Sequence, residues 1–185
     1  MTVNGGAAVT VTRLDDAEVL ARAGDLAHLL TDAVRGGASV GFLAPLDDAA
    51  AAAWWTERAA AVAAGRLAVW VAHDGRRVVG TVGLSFPDKP NSRHRAELVK
   101  LMVHRGARGR GLGRALLAAA EAAATADGVA LLHLDTETGS PAERLYRSAG
   151  WTRAGVIPDY AASPDGTPRP TSLYYKHLGA APPAA

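Results

Sequence analysis

Apolar positions along the chain follow two periods, a helical one and a strict alternation, and the switches between them outline the elements. Val9 to Arg13 alternates as an opening strand does. Asp15 and Asp16 precede a helical pattern from Ala17 to Val34, with apolar positions Val19, Leu20, Leu26, Leu29, Leu30 and Ala33, and Gly36–Gly37 stop it. Asp47–Asp48 cap a second helix that runs to about Ala64 and ends at Gly65. It carries Trp54, Trp55 and many alanines, which favour helix. Leu67 to Ala72 and Arg77 to Leu84 read as two strands joined at the Asp74–Gly75 turn.

Pro87, Asp88, Pro90, Asn91 and Ser92 mark a loop before a strong strand pattern at Glu97–Val103. A Gly- and Arg-rich loop follows at 104–113, then a helix with an Ala/Leu face from Leu112 to Ala126, closed by Asp127–Gly128. Val129 to Leu134 is a short apolar strand, with Asp135 at its end. Ser140–Pro141 opens a helix to Ala149, since Ser caps and Pro suits the first turn, and Gly150 stops it. Trp151 to Ile157 predicts a strand, 158–170 a long turn-rich loop, and Thr171 to Leu178 the last strand. The order predicts an α/β (mixed α+β) fold, a central mixed sheet with helices on both faces.

At 185 residues the chain suits one domain over 1–185, with a core at about 9–178 and tails at 1–9 and 179–185. Alanine supplies 41 residues and aromatics only 5%, so the core is built from Ala, Leu and Val with few large anchors. No apolar run reaches the roughly 18 residues of a membrane span, and Met1 to Val11 lacks the pattern of a signal peptide. The absence of cysteine excludes disulfides, thiolate zinc sites and a cysteine nucleophile. A cytoplasmic location fits this usage. Net charge is +2, yet Arg outnumbers Lys 17 to 3. Arg favours bidentate contact with phosphate.

The chemistry is concentrated where the strand Glu97–Val103 runs into the loop His104–Gly113 and then a helix. Gly109, Gly111 and Gly113 let the backbone approach a ligand closely. The free N–H groups of the helix start point into the same loop and favour phosphate. Arg105, Arg108, Arg110 and Arg114 add charge-assisted donors. A P-loop is excluded, because Leu112–Gly113 stand after Gly111 in place of Lys and Ser/Thr. A dinucleotide fingerprint fits poorly, because the glycines come late behind His104 to Arg108. No helix carries an extended basic stripe with base-stacking aromatics, so nucleic acid is not an expected partner.

Arg108, Gly111 and Gly113, in the order Arg-x-x-Gly-x-Gly, resemble the acetyl-CoA loop of the GNAT N-acetyltransferase superfamily. Ala142-Glu-Arg-Leu-Tyr146 ahead of Gly150–Trp151 matches that family's later helix. The likeness covers about 65–178. Arg93 to Val103, Leu131 to Glu137, Pro164-Asp-Gly and Tyr174-Tyr-Lys are similar to the tabtoxin-resistance type, whose members acetylate a toxin's amine. The resemblance implies the GNAT fold, a mostly antiparallel sheet of about six or seven strands. Within it, Glu97–Val103 and Val129–Asp135 would form a splayed parallel pair. It implies acetyl-CoA as co-substrate, bound by backbone groups of Leu101, Met102 and Val103 and by Arg108, Gly109, Arg110, Gly111, Leu112, Gly113 and Arg114. Ser140 stands where many members have Asn and can still cap the helix and reach CoA, and Tyr146 matches the family tyrosine that faces the CoA sulfur. No metal is expected.

The resemblance also implies catalytic roles for Glu97, Asp135 and Tyr146. A free alkylamine is mostly protonated near neutrality, so a base helps; Glu97 and Asp135 are the candidates, directly or through water. The plain structural alternative pairs these carboxylates with Arg93 or Arg95. Tyr146 is the candidate donor to the departing thiolate, since a phenol near pKa 10 matches a thiol. Trp54, Trp55, His94, His133, Tyr160 and the 158–170 loop are candidate walls for the acceptor. The expected activity is acetyl transfer to a primary amine of a small molecule, such as an amino-acid-like toxin or antibiotic. Acetylation of a protein or peptide amine and non-catalytic sensing of acyl-CoA are the alternatives. A homodimer is common in this superfamily.

Overall fold

The computed structural model describes residues 10–75 and 77–179. The expected strand start at Val9 and the tails at 1–9 and 180–185 lie outside them.

Seven strands form one sheet: β1 (Thr10–Leu14), β2 (Leu67–Asp74), β3 (Arg77–Ser85), β4 (Arg95–Val103), β5 (Leu131–Glu137), β6 (Thr152–Ala162) and β7 (Pro168–His177). Their spatial order is β1-β2-β3-β4-β5-β7-β6. The β4–β5 pair is parallel and the other neighbours are antiparallel. Helices α1 (Asp16–Ala21), α2 (Ala23–Arg35) and α3 (Asp48–Ala63) cover one face of β1–β4. Helix α4 (Leu112–Ala126) covers the other, with α5 (Pro141–Ser148) beside it.

The sheet therefore separates two apolar layers. One contains Leu26, Leu29, Leu30 and Trp55 with Val69 and Val71; the other contains Leu112, Leu116 and Leu117 with Leu84, Leu98 and Leu132. Burial of each large aliphatic side chain contributes about 1.5–3 kcal/mol, so both layers fix the sheet's two faces.

Three sequence expectations are corrected. The helix drawn over Ala17–Val34 is two helices meeting at Arg22 (φ −106°, ψ 10°), which ends α1 and begins α2. Asp15 starts α1 through a capping box: its carboxylate accepts from the Glu18 N–H, and Glu18 accepts from the Asp15 N–H. The loop expected at 158–170 is largely strand, because β6 runs on to Ala162 and β7 starts at Pro168. Its prolines are tolerated because β6 is an edge strand, Pro158 and Pro170 fall where the β6–β7 register is irregular, and the pairing of β7 with β5 begins only at Thr171. The strand expected at Val129–Leu134 instead covers Leu131–Glu137, which puts Asp135 inside it.

One irregularity positions the site. Between Thr81 and Gly83 of β3, β4 advances from Met102 to Val99, one residue more than β3. Lys100 absorbs the extra residue with φ +52°, in the left-handed region. A one-residue insertion flips every later side chain to the opposite face. Ala96 and Leu98 pack on the α4 side, whereas Met102 packs on the α2–α3 side and Leu101 and Val103 turn to α4.

Candidate active site

β4 and β5 pair only from Arg95–Leu131 to Glu97–His133 and then part. The bulge at Lys100 bends β4 at the point of parting. Between the strands opens a cavity of about 1200 Å³, reaching from the 108–114 loop to the α2–α3 loop at 36–43.

The loop end is built from backbone. His104 accepts the Gly106 N–H on Nδ1 at 3.1 Å and starts a short turn at Arg105–Ala107. Gly109 and Gly111 then take φ +77° and +78°, which a side chain would oppose, and Gly111 begins α4. A Cβ on Gly113 would meet Leu145 Cδ2 at 3.1 Å, so this glycine lets α4 approach α5. No carbonyl or side chain among the described residues accepts from the backbone N–H groups of Gly109 to Arg114. They form a ready donor set at the positive end of a 15-residue helix.

The four loop arginines divide into two kinds. Arg105 is tied to Asp32, by its N–H at 2.9 Å and its Nε at 2.8 Å, and Arg110 is tied to Asp74 at 2.6 Å. These two fasten the loop to α2 and to the β2–β3 turn. Burial resists ionisation of Asp32, but the Arg105 N–H, the Arg105 guanidinium and His104 outweigh it and hold the carboxyl below its usual pKa. Arg108 donates to the Val103 carbonyl at 3.1 Å and Arg114 to Ser148 Oγ at 2.8 Å. Neither meets a carboxylate among the described residues, and both line the cavity. Of the residues expected to hold CoA, all but Arg110 line it.

Ser140 caps α5 by accepting the Glu143 N–H at 3.1 Å. Sequence reasoning missed the part played by Glu143. Its buried carboxylate accepts from the Gly139 N–H at 2.6 Å and the Tyr174 hydroxyl at 2.9 Å, clamping the start of α5 to β7. Tyr146, one turn further on, is 5% exposed, and its hydroxyl makes no hydrogen bond among the described residues. Burial, with Asp135 nearby, pushes its pKa well above that of a free phenol.

At the other end, Glu97 and Asp135 both line the cavity. Neither is in an ion pair or hydrogen bond among the described residues. The pairing of Glu97 with Arg95 is not found: Arg95 donates to His133 Nε2 at 2.6 Å. Burial, together with Arg95, keeps the His133 pKa below its usual value. A neutral ring with its proton on Nδ1 suits that contact.

Lys100, absent from the expected site, also lines the cavity; its Nζ lies 5.3 Å from the Trp54 ring centre and 5.8 Å from that of Phe42. A lysine inside an apolar strand was the available signal. Trp54 thus stands at the site, while Trp55 is buried under α3 and His94 and Tyr160 are exposed. The α2–α3 loop is joined to the β6–β7 turn by one backbone bond, from the Ala44 N–H to the Pro164 carbonyl at 2.8 Å. Asp165 stiffens that turn by accepting from Ser163 Oγ and the Thr167 N–H.

The acetyltransferase (GNAT) family model matches residues 26–151. The chain belongs to the GNAT acetyltransferase family. YncA of Salmonella typhimurium, solved with its cofactor acetyl-CoA, superposes on this GNAT protein with a TM-score of 0.74 at 23% identity, over 96% of this chain and 99% of that one. A ribosomal-protein-alanine N-acetyltransferase of Brucella melitensis gives 0.71 at 25% identity, over 91% and 99%. An N-acetyltransferase of Staphylococcus aureus Mu50 gives 0.77 at 17%, over 94% and 100%.

Acetyl-CoA, the acetyl donor of the family, fits the residues present. The unpaired N–H groups and Arg108 and Arg114 suit a pyrophosphate, and the parted β4 offers backbone to an amide-bearing arm. Among the described residues no group of three or more metal-ligating side chains exists, and no helix is long and apolar enough to cross a membrane.

Proposed function

We propose that the protein moves the acetyl group of acetyl-CoA onto a primary amine of a small molecule, with amino-acid-like toxins or antibiotics as the first acceptors to test. The observation that carries this reading is the Ala44–Pro164 bond. It joins the chain just beyond Leu43 to the chain just beyond Ala162, two segments that line the cavity, where an open groove would be needed to admit a peptide chain. The likeness of the 93–103, 131–137 and 164–166 segments to the tabtoxin-resistance type supports the same choice.

In this reading Glu97 or Asp135 takes the proton of the incoming ammonium, directly or through water. The amine nitrogen then bonds to the thioester carbonyl carbon, and the C–S bond breaks. A backbone N–H near Met102 or Val103 polarises the carbonyl oxygen. Tyr146 donates a hydrogen bond to the departing sulfur. Its burial makes it a weaker acid than the free phenol assumed from sequence, so a full proton transfer is uphill, and the proton released by the amine balances the thiol formed.

A purified-protein assay of CoA release over a panel of small amines, including tabtoxinine-β-lactam, tests the proposal. Turnover of small amines is expected, with loss in Tyr146→Phe and in Glu97→Gln combined with Asp135→Asn. The Brucella likeness favours a second reading, in which the acceptor is a peptide N-terminus. Turnover of an alanine-initiated peptide in preference to every small amine would establish that reading and overturn the first.

A further inference from the structure

We propose that Lys100 is the anchor for an anionic group on the acceptor, so that the substrate is an amine bearing a carboxylate or an oxyanion of similar size. This deepens the small-amine reading and rests on it.

Three observations converge. Lys100 occupies the extra position of the β4 bulge with φ +52°, a conformation lysine has no intrinsic reason to adopt. The bulge aims its ammonium away from the sheet, toward Phe42 and Trp54. A Cβ on Gly41 would lie 3.6 Å from Nζ, so the cation sits directly beside the loop that roofs the acceptor end. Finally, its three donors are unused: no hydrogen bond or ion pair to Lys100 occurs among the described residues. The Phe42 and Trp54 rings offset part of the cost of taking this ammonium out of water, but they accept no hydrogen bond from it, and an anionic group would complete it. Burial accordingly shifts its pKa down, against Asp135 and Glu97, which shift it up, and with Arg58, which adds to the lowering.

The charges around this end form a pattern that matches a zwitterion. Glu97 and Asp135 are close enough to Lys100 to act on it electrostatically, yet neither bonds to it. An acceptor carrying an ammonium and an anionic group would place the first toward the carboxylates and the second toward Lys100, with Arg58 adding positive potential behind Trp54. A purely cationic diamine would bring its second charge against Lys100. The same contact would orient the acceptor, because anchoring one end of a short molecule restricts where its amine can point.

The test uses matched acceptors: an amino acid and the amine left when its carboxylate is removed, for example lysine with cadaverine and phenylalanine with phenethylamine. kcat and KM are measured for wild type, Lys100→Met and Lys100→Arg. Wild type is expected to favour the carboxylate-bearing member of each pair by about 10- to 100-fold in kcat/KM, expressed mainly in KM. In Lys100→Met the KM of the carboxylate-bearing member rises until the preference is gone, while the KM of the decarboxylated member does not rise; Lys100→Arg keeps most of the preference. Turnover without charge preference in wild type overturns the anchor and leaves the small-amine reading standing. So does an equal fall in kcat for both members in Lys100→Met, which would mark a role in the bulge or in proton transfer. Absence of turnover with every small amine overturns both.

Discussion

The two ends of the cavity are made by different means. The end at α4 is largely backbone: two left-handed glycines, a helix start with free N–H groups, and a loop fastened by the Asp32–Arg105 and Asp74–Arg110 pairs. The opposite end is made of side chains from distant segments: Glu97 and Lys100 on β4, Asp135 on β5 and Phe42 on the α2–α3 loop, with Trp54 of α3 behind Lys100. A backbone site recognises a constant ligand and tolerates change in its side chains. A side-chain site can be retuned one residue at a time. In the proposed reading the fold keeps its donor site fixed and leaves its acceptor site adjustable.

The largest expected effect comes from removing the two carboxylates proposed as proton acceptors. Glu97→Gln with Asp135→Asn should lower kcat by about 100- to 10,000-fold, with the Kd for acetyl-CoA held within a few-fold. CoA-release kinetics beside calorimetric titration check both numbers. A parallel loss of acetyl-CoA affinity would break the division between the two ends.

Next comes the split among the arginines. Arg108→Ala with Arg114→Ala should weaken acetyl-CoA binding by about 10- to 100-fold, since each gives up a charge-assisted contact. Arg110→Ala should cost less, because its guanidinium is spent on Asp74. Titration calorimetry orders the variants. Equal losses would mean that Arg110 leaves Asp74 when the pyrophosphate arrives.

The uneven legibility of the two ends has the same origin. Glycine spacing, arginine density and a helix start are local features, so the 104–114 loop and α4 could be read directly, as could Ser140 as a cap. Lys100 could not be read as a site residue, because its place depends on a bulge that lysine does not encode and on Phe42 and Trp54, which lie far away in sequence. The β6–β7 hairpin was hidden by Pro158, Pro168 and Pro170, which signal loop unless the strand is known to lie at an edge. The break at Arg22 has only Gly24 near it, inside the first turn of α2, and no Pro; both helices pack into the same apolar layer with α3.

A smaller effect concerns the roof. Asp165→Ala removes the acceptor for Ser163 and Thr167 and loosens the turn that offers the Pro164 carbonyl to Ala44. The acceptor KM should rise severalfold, on the order of one lost hydrogen bond, with acetyl-CoA affinity unchanged. Steady-state kinetics with each substrate varied in turn checks the separation. A change in acetyl-CoA KM alone would place the hairpin's influence at the wrong end.

The smallest effect is read as stability against pH. Asp32 is a depressed carboxyl, so its contribution is fully present above the ordinary Asp value of 3.8 and is lost as pH falls through its lower folded value. Asp32→Asn should cost about 1 kcal/mol near neutrality, an amount discounted because the Arg105 side chain is half exposed. That gap should close as the medium is acidified below the ordinary range, because the protonated wild type then resembles the variant. Denaturant melts at pH 7 and at acid pH measure it. The same substitution removes the ion pair and one of the two oxygens that hold Arg105, and acetyl-CoA binding at neutral pH shows what that does to the loop. If affinity holds while stability falls, the glycines and the helix start keep the donor site in shape without the anchor, and the α4 end is a backbone site in the strict sense. If both fall together, the loop owes its shape to the ion pairs, and the contrast between the two ends narrows to where their charges come from.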